Sequence, residues 1–251
     1  MNEETLHRMK QMKFLGMANA FRASMEADQM ATLTCDQMVS LLIDAEWDDR
    51  NNRRIERRLR QAKFRYSANM EQILFNEDRN LDKNQLMRLA ECGFIDKAEN
   101  IMITGKTGVG KSYIASALGN QACTLGYKAI YANTGKLMTR LKMAKADGSY
   151  LKEIARIEKH DLLILDDFGL QPFDNLNRSA LMEIVEDRHG KRSTIITSQW
   201  PVSDWHEIIG EQTVADAILD RIVPSAHRMD LTGPSLREQL SGKQTHMVEL
   251  H

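Results

Sequence analysis

The spacing of apolar positions changes near residue 98, and two kinds of structure follow. In the first third, Leu6, Met9, Met12, Met17 and Phe21 recur at roughly helical spacing. Thr34-Cys35-Asp36-Gln37 has the form of a capping box, in which the Thr34 and Gln37 side chains reach each other's backbone N–H. The helix it opens carries Met38, Leu41, Leu42 and Ala45 on one side and continues into 50–65. There Ile55, Leu59, Ala62 and Tyr66 form one stripe and the remaining faces are mostly cationic. Beyond 98, short apolar runs alternate with helical patterns. Asn100–Thr104, Lys128–Ala132, Leu162–Leu165 and Ser193–Thr197 are predicted strands. Ser112–Leu125 is a predicted helix closed by Gly126. Two basic helical stretches split at Asp147-Gly148, and a further helix spans Asn175–His189. Strands alternating with helices predict an α/β fold with a parallel sheet covered on both faces. The expected organisation is a helical N-terminal domain over 1–66, a connector over 67–97, the α/β domain over 98–240 and a loose polar tail over 241–251.

Composition narrows the class. The 251 residues are 42% hydrophobic and 27% charged, which excludes disorder as the dominant state. Lys and Arg total 34 against 35 Asp and Glu, so a uniformly basic nucleic-acid coat is excluded. The positive charge is instead concentrated. Arg50, Arg53, Arg54, Arg57, Arg58, Arg60, Lys63 and Arg65 face the single acid Glu56, with little i,i+4 pairing inside the stretch to relieve repulsion. Such a helix face can follow a phosphate backbone. Lys136, Arg140, Lys142 and Lys145 form a second, weaker candidate. No base-reading motif is evident, so DNA binding is expected to be largely sequence-independent. Aromatic residues are 6% and form no stacking array, which favours duplex over single strands. Trp47, Trp200 and Trp205 are expected to be packing residues. Cys35, Cys92 and Cys123 have no metal-ligand spacing and suggest no disulfide framework, which fits a reducing cytosol. The N-terminus lacks a signal-peptide core, and no apolar run approaches the roughly 20 residues of a membrane span.

The chemistry is carried by Gly105-Lys106-Thr107-Gly108-Val109-Gly110-Lys111-Ser112, which fits G-x-x-x-x-G-K-[ST] between a strand and a helix. Its glycines let successive N–H groups point at phosphate oxygens, and the following helix adds its positive end. Lys111 is placed for the β- and γ-phosphates of ATP and Ser112 for Mg²⁺; Tyr113 completes the ATP-binding stretch. Asp161-Leu-Leu-Ile-Leu-Asp-Asp167 supplies an acid at a strand end. Asp166 is expected to hold Mg²⁺ through water, and Asp167 to orient or deprotonate the attacking water. A third strand ends in Thr197-Ser198-Gln199, where a polar residue could meet the γ-phosphate or the attacking water. Arg221, on a helical pattern with Val214, Ala217 and Ile218, is by itself expected to be a salt-bridged surface residue more often than a catalytic one.

With these stretches placed, the chain resembles the IstB-like family, the helper ATPases encoded beside the transposase in bacterial insertion sequences and relatives of the DnaC helicase loaders in the AAA+ initiator clade. The resemblance rests on Glu99-Asn-Ile-Met-Ile-Thr-Gly105, the phosphate loop, Leu165-Asp-Asp-Phe-Gly169, Thr197-Ser-Gln-Trp-Pro201 and Leu219-Asp-Arg-Ile222. It implies an AAA+ P-loop three-layer sandwich with a reduced or absent lid, preceded by a small all-α domain. It implies ATP between neighbouring subunits, with Arg221 as the arginine finger, Ser198 or Gln199 as sensor 1, and Arg237 as a weak candidate for sensor 2. Asn is more frequent in the family where Gln199 stands here. Lys136–Lys145 falls where the clade inserts a DNA-touching helix. The implied function is an ATP-dependent transposition helper, bacterial and cytoplasmic, which oligomerises on double-stranded DNA through residues such as Arg53, Arg54, Arg57 and Arg58. It would remodel that DNA, recruit and activate the cognate transposase, and be reset by hydrolysis. A loader of a replicative helicase shares every ATPase residue; a small-molecule P-loop kinase and a non-hydrolysing scaffold are the more distant alternatives.

Overall fold

The computed structural model describes residues 2–27, 32–75 and 77–236. Arg237 and the tail 241–251 lie outside the described residues, as does any lid following Leu236. The chain divides into two compact units between Arg58 and Leu59, not at the expected residue 66.

The first unit holds α1 (Asn2–Gln11), α2 (Leu15–Glu26) and most of α3 (Cys35–Ala62). Its small core is Leu6, Ala18 and Phe21, with Met9, Met25 and Leu42 packed against it. The predicted capping box is formed: Thr34 N–H donates to Gln37 Oε1 at 2.9 Å, and Gln37 N–H to Thr34 Oγ1 at 3.3 Å. At Gly16 a Cβ would lie 2.2 Å from the Ala45 carbonyl, so only glycine lets α2 approach α3 this closely. The buried Glu46 carboxylate accepts from the Gly16 and Met17 amides and caps α2. Burial pushes its pKa up, but Arg50 and those two amides outweigh this and hold it below the usual value.

The second unit begins inside α3, where Leu59 and Ala62 join its core. The stretch 67–97 differs from the connector expected there. It contains α4 (Lys83–Ala90) and α5 (Gly93–Asp96), whose Leu86, Leu89, Phe94 and Ile95 are buried. Asp82 caps α4 by accepting from the Asn84 and Gln85 amides.

The remainder alternates as predicted through β1 (Asn100–Gly105), α6 (Lys111–Thr124), β2 (Ala129–Asn133), α7 (Thr134–Asp147), α8 (Tyr150–Glu158), β3 (Leu162–Phe168), α9 (Asn175–Arg188) and β4 (Ser193–Ser198), and it continues, beyond the predicted strands, with α10 (Trp205–Ile209), α11 (Gln212–Ile222) and β5 (Ala226–Leu231). The sheet order is β2-β3-β4-β1-β5, with every pairing parallel. Alternation along the strands sends Ile101, Ile103, Ile164 and Ile195 to one face, packed with α6. Met102, Leu163, Leu165 and Ile196 go to the other, packed with side chains of α7, α9 and α11. This is the expected three-layer α/β sandwich. The sheet brings the carboxyl ends of β1, β3 and β4 together, where ligands bind in such folds.

Trp205 is buried, 4.8 Å from the Phe168 ring, as a packing residue should be. Trp47 and Trp200 are exposed instead. No helix among the described residues is long and apolar enough to cross a membrane.

Arg188 ties the amino edge of the sheet together. Its buried guanidinium donates to the carbonyls of Ile157, His160, Asp161 and Ser193 and to the Thr194 hydroxyl. Burial pushes its pKa down to about 9, with Arg192 adding to the fall. Arg188→Ala leaves four carbonyls to find new donors. It is expected to cost about 3 kcal/mol or more, a fall of about 6–12 °C in Tm by calorimetry.

Candidate nucleotide site

The phosphate loop follows β1 directly. At Gly105 (φ +139°) a Cβ would stand 2.2 Å from the Leu231 carbonyl of β5, so glycine is required where the loop leaves the sheet. Gly110 (φ +94°) is the N-cap of α6 and turns the loop into the helix. Lys106 and Thr107 are exposed on the loop, while Val109 is buried beneath it. Lys111 is buried and donates to the carbonyls of Gly105 and Lys106 at 2.6 and 2.8 Å, folding back over the loop. The loop is braced from below by Arg79, whose buried guanidinium donates to the Val109 carbonyl at 2.7 Å. From the other side, the Leu236 amide donates to the Gly108 carbonyl. Tyr113 points toward the segment before β1: its hydroxyl donates to Gln72 Oε1 at 2.9 Å, and its ring lies 6.1 Å from Tyr66.

Asp166 is fully buried at the end of β3. Ser112 Oγ donates to its Oδ1 at 2.7 Å, the Thr197 and Tyr131 hydroxyls also donate to it, and Arg65 Nη1 lies 3.2 Å from Oδ2. Burial raises the pKa of this carboxyl, but the three hydroxyls and Arg65 together hold it below the usual range, so it is ionised.

Two consecutive strand residues ordinarily point to opposite faces. Here they do not. Leu165 pairs with Ile196 but Phe168 with Ser198, so β3 holds one extra residue at a bulge, and Asp167 takes φ +59°. Asp is among the residues that tolerate this region. The bulge turns the Asp167 carboxylate to Asn133 Nδ2 at 2.9 Å and Arg65 Nη1 at 3.1 Å. The Asp167 amide donates to Thr197 Oγ1, which fixes the kink.

The two sensor candidates separate. Ser198 is buried and donates to the Phe168 carbonyl at 2.8 Å, so its hydroxyl joins β4 to β3. Gln199 is exposed just past the strand. Arg221 is remote from this loop. It pairs with Glu186 at 2.5 Å and donates to the Ala217 carbonyl at 2.8 Å. The next residue, Ile222, accepts from Asn100 Nδ2 at the first position of β1. Arg221 is therefore near the amino edge of the sheet, roughly 16 Å of strand from the loop at the carboxyl edge.

The basic candidates also divide. Arg53 pairs with Asp49 at 2.5 Å and lies 3.8 Å from Glu46, while Arg50 pairs with Glu46 at 2.6 Å. Acids one turn upstream thus relieve charge that the stretch alone leaves unpaired. Arg54 and Arg57 are exposed and Arg58 half-buried, and none of the three pairs with a carboxylate among the described residues. On α7, Arg140 pairs with Glu153, Lys142 with Asp174, and Lys145 lies 4.7 Å over the Tyr150 ring. Lys136 is exposed and, with Arg140, lines a cleft of about 490 Å³ that also includes Arg65, Tyr131, Asn133 and Asp167.

Sequence reasoning gave Tyr131, Asn133 and Arg79 no role, counted Arg65 only with the basic helix, and named Thr197 only as one of three polar residues at a strand end. The rule that ligands gather at carboxyl strand ends singles out Asn133 and Thr197. No sequence signal selects Arg65 for this place from among its seven cationic neighbours.

Sheet order and phosphate loop together define a P-loop nucleotide-binding protein of AAA+ fold. Solved structures agree. The DnaC helicase loader superposes with a TM-score of 0.58 over 68% of this chain and all of that one, at 21% identity. DnaA from Aquifex aeolicus, bound to AMPPCP, gives 0.56 over 75% of this chain and 58% of that one, at 16% identity. An insertion sequence ATP-binding protein of Sinorhizobium fredii, y4pL, is 44% identical over 93% of this chain and 95% of its own length. The ATP-binding protein of insertion sequence IS1162 from Pseudomonas fluorescens is 40% identical over 81% and 88%. Residues 7–244 match the family described as IstB-like ATP binding protein, and the chain belongs to it.

Proposed function

We propose that this protein is a transposition helper that binds and hydrolyses Mg²⁺–ATP, assembles on duplex target DNA while ATP is bound, recruits its transposase and is reset by hydrolysis. The observation that carries the reading is the meeting of Lys111, Ser112, Asp166 and Asp167 at the carboxyl edge of the sheet, with Arg221 near the opposite edge. A nucleotide held at one edge and an arginine near the other complete each other only between two copies of the chain. The similar insertion-sequence proteins support the transposition setting over the loader, for which the likeness is one of fold.

The donors fit Mg²⁺. Ser112 Oγ and an ionised, water-excluded Asp166 carboxylate are hard oxygens 2.7 Å apart, beside a loop shaped for phosphate. When bound, the metal supplies charge neutralisation at the β- and γ-phosphate oxygens. The chain's own groups do the rest. Lys111 moves from the loop carbonyls to the phosphates. Thr197 and Tyr131 hold the Asp166 carboxylate in one orientation. Asp167, fixed by the bulge and by Asn133, accepts a proton from the attacking water or orients it. Gln199 takes the sensor 1 position, since Ser198 is committed to the Phe168 carbonyl. Arg54, Arg57, Arg58 and Lys136 offer charge to the DNA backbone, as do Arg53, Arg140, Lys142 and Lys145 once their surface pairs open. In this reading the helical N-terminal unit, Met1–Arg58, serves DNA and partner, and the α/β unit that follows it is the ATPase.

Asp167→Asn keeps the hydrogen bonding but removes the base. A coupled assay for ADP is expected to show hydrolysis slowed by about 10²–10⁴-fold, with ATP binding retained and duplex complexes outlasting those of the wild type. A rate within fivefold of the wild type removes Asp167 from the mechanism.

A further inference from the structure

Arg65 stands three residues past the end of α3, yet one of its nitrogens donates to both acids of the nucleotide site, 3.2 Å from Asp166 Oδ2 and 3.1 Å from Asp167 Oδ2. Asp166 is fully buried, and a carboxylate there needs compensating charge as well as hydrogen bonds. The Ser112, Thr197 and Tyr131 hydroxyls give the bonds; Arg65 gives a full positive charge. The guanidinium is held without being entombed. Its side chain is 38% exposed, it lies 5.5 Å over the Tyr66 ring, and it lines the open cleft beside Lys136 and Arg140. Its mount is short and anchored. Lys63 (φ +56°) breaks away from α3, and Phe64 packs so closely on Gly119 of α6 that a Cβ there would lie 2.5 Å from its ring.

We propose that Arg65 is an exchangeable counter-ion: it neutralises Asp166 and Asp167 in the nucleotide-free protein and gives them up when Mg²⁺–ATP binds, so that the divalent cation enters only together with nucleotide. This rests on the Mg²⁺–ATP reading above. The physical basis is competition. A guanidinium and a hydrated dication cannot share the same carboxylate oxygens without strong repulsion, least of all at a carboxylate as buried as that of Asp166. The metal alone must evict Arg65 unaided. With ATP, the phosphate charge offsets the added cation and gives the displaced guanidinium an anion to face. Because Arg65 is covalently close to α3, its release also reports nucleotide arrival to the end of the basic helix.

The test uses the full-length chain and Mn²⁺ as the probe, its binding read by electron paramagnetic resonance without nucleotide. Arg65→Gln is expected to bind Mn²⁺ at least tenfold tighter than the wild type, and adding Asp166→Asn is expected to abolish the gain. Mn²⁺ affinity within twofold of the wild type, in an Arg65→Gln protein with unchanged Tm, overturns the proposal. Fluorescent ATP binding by the wild type with Mg²⁺ is measured in parallel; its failure strikes the nucleotide reading, while the Mn²⁺ comparison still judges Arg65. Amide exchange in the wild type gives a second readout that needs no variant at Arg65. Residues 63–69 are expected to exchange faster on adding Mg²⁺ with a non-hydrolysable ATP analogue, with no such change in Lys111→Ala. Unchanged exchange in a wild type that binds the nucleotide in the parallel titration overturns the proposal.

Discussion

Lys111→Ala is expected to weaken ATP binding by at least about 100-fold, the loss of about 3 kcal/mol. The ammonium is already buried at the loop, held by the Gly105 and Lys106 carbonyls, so little of its solvation remains to be lost when phosphate replaces them. Removing it leaves the phosphate charge facing the loop amides alone. The nucleotide-free protein should lose little stability, because the substitution removes bonds to carbonyls on an accessible loop. The clearest readout is the linkage. At ATP 100-fold above Kd the wild type gains about 2.7 kcal/mol of stability; the variant gains almost none at the same concentration. A calorimetric titration and a thermal scan with and without ATP measure both. An ATP-dependent rise in Tm equal to that of the wild type removes Lys111 from the phosphate site.

Arg221→Ala is expected to lower ATP turnover by about 10³-fold while leaving ATP binding by the isolated chain within twofold. Both halves follow from position. Arg221 is near the amino edge of the sheet, by Ile222 and Asn100, so it touches no part of its own phosphate loop. A charge that acts on a neighbour's γ-phosphate affects hydrolysis and assembly, not the first binding step. Its pair with Glu186 is exposed on the acid side, and losing such a pair costs little. Arg221→Lys keeps charge but not the fork, and turnover should stay low. Mixing Arg221→Ala with Lys111→Ala chains tests the trans arrangement. Each supplies what the other lacks at one interface, so turnover should rise above that of either alone. No recovery in the mixture, or full turnover by Arg221→Ala alone, rejects the finger.

The phosphate loop was legible because its chemistry is contiguous: eight residues in a row, with a strand before and a helix after. β1 and β3 were legible because both faces are covered, which gives the unbroken apolar runs Ile101–Ile103 and Leu162–Leu165, and β4 because its β-branched residues surround Ile195 and Ile196. β5 escaped for the opposite reason. It is an edge strand, and His227, Arg228 and Asp230 interrupt its apolar positions. The stretch 67–97 read as a connector because its helices are short; α4 has 8 residues and α5 has 4, too few for periodicity to emerge. The second half of the site was hidden by distance along the chain. Asn133 and Asp166 are register partners, a fact of sheet pairing. Asp167 joins Asp166 only because a bulge defeats strand alternation, and local sequence carries no mark of it. Arg65 is further still, about a hundred residues from the acids it bridges. The expected excess of unpaired charge on α3 was reduced in the same way, by Glu46 and Asp49 one turn upstream of the stretch that was counted.

ATP switches the assembly of this protein on duplex DNA in the function proposed above. Analytical sedimentation tests it most directly, with 50-base-pair duplex or single strands of equal length, each with a non-hydrolysable ATP analogue, ADP or no nucleotide. Large complexes are expected with duplex and the analogue together, and only small species in the other combinations. Equal assembly in all nucleotide states, or preference for single strands, contradicts it; the latter is the behaviour of a helicase loader.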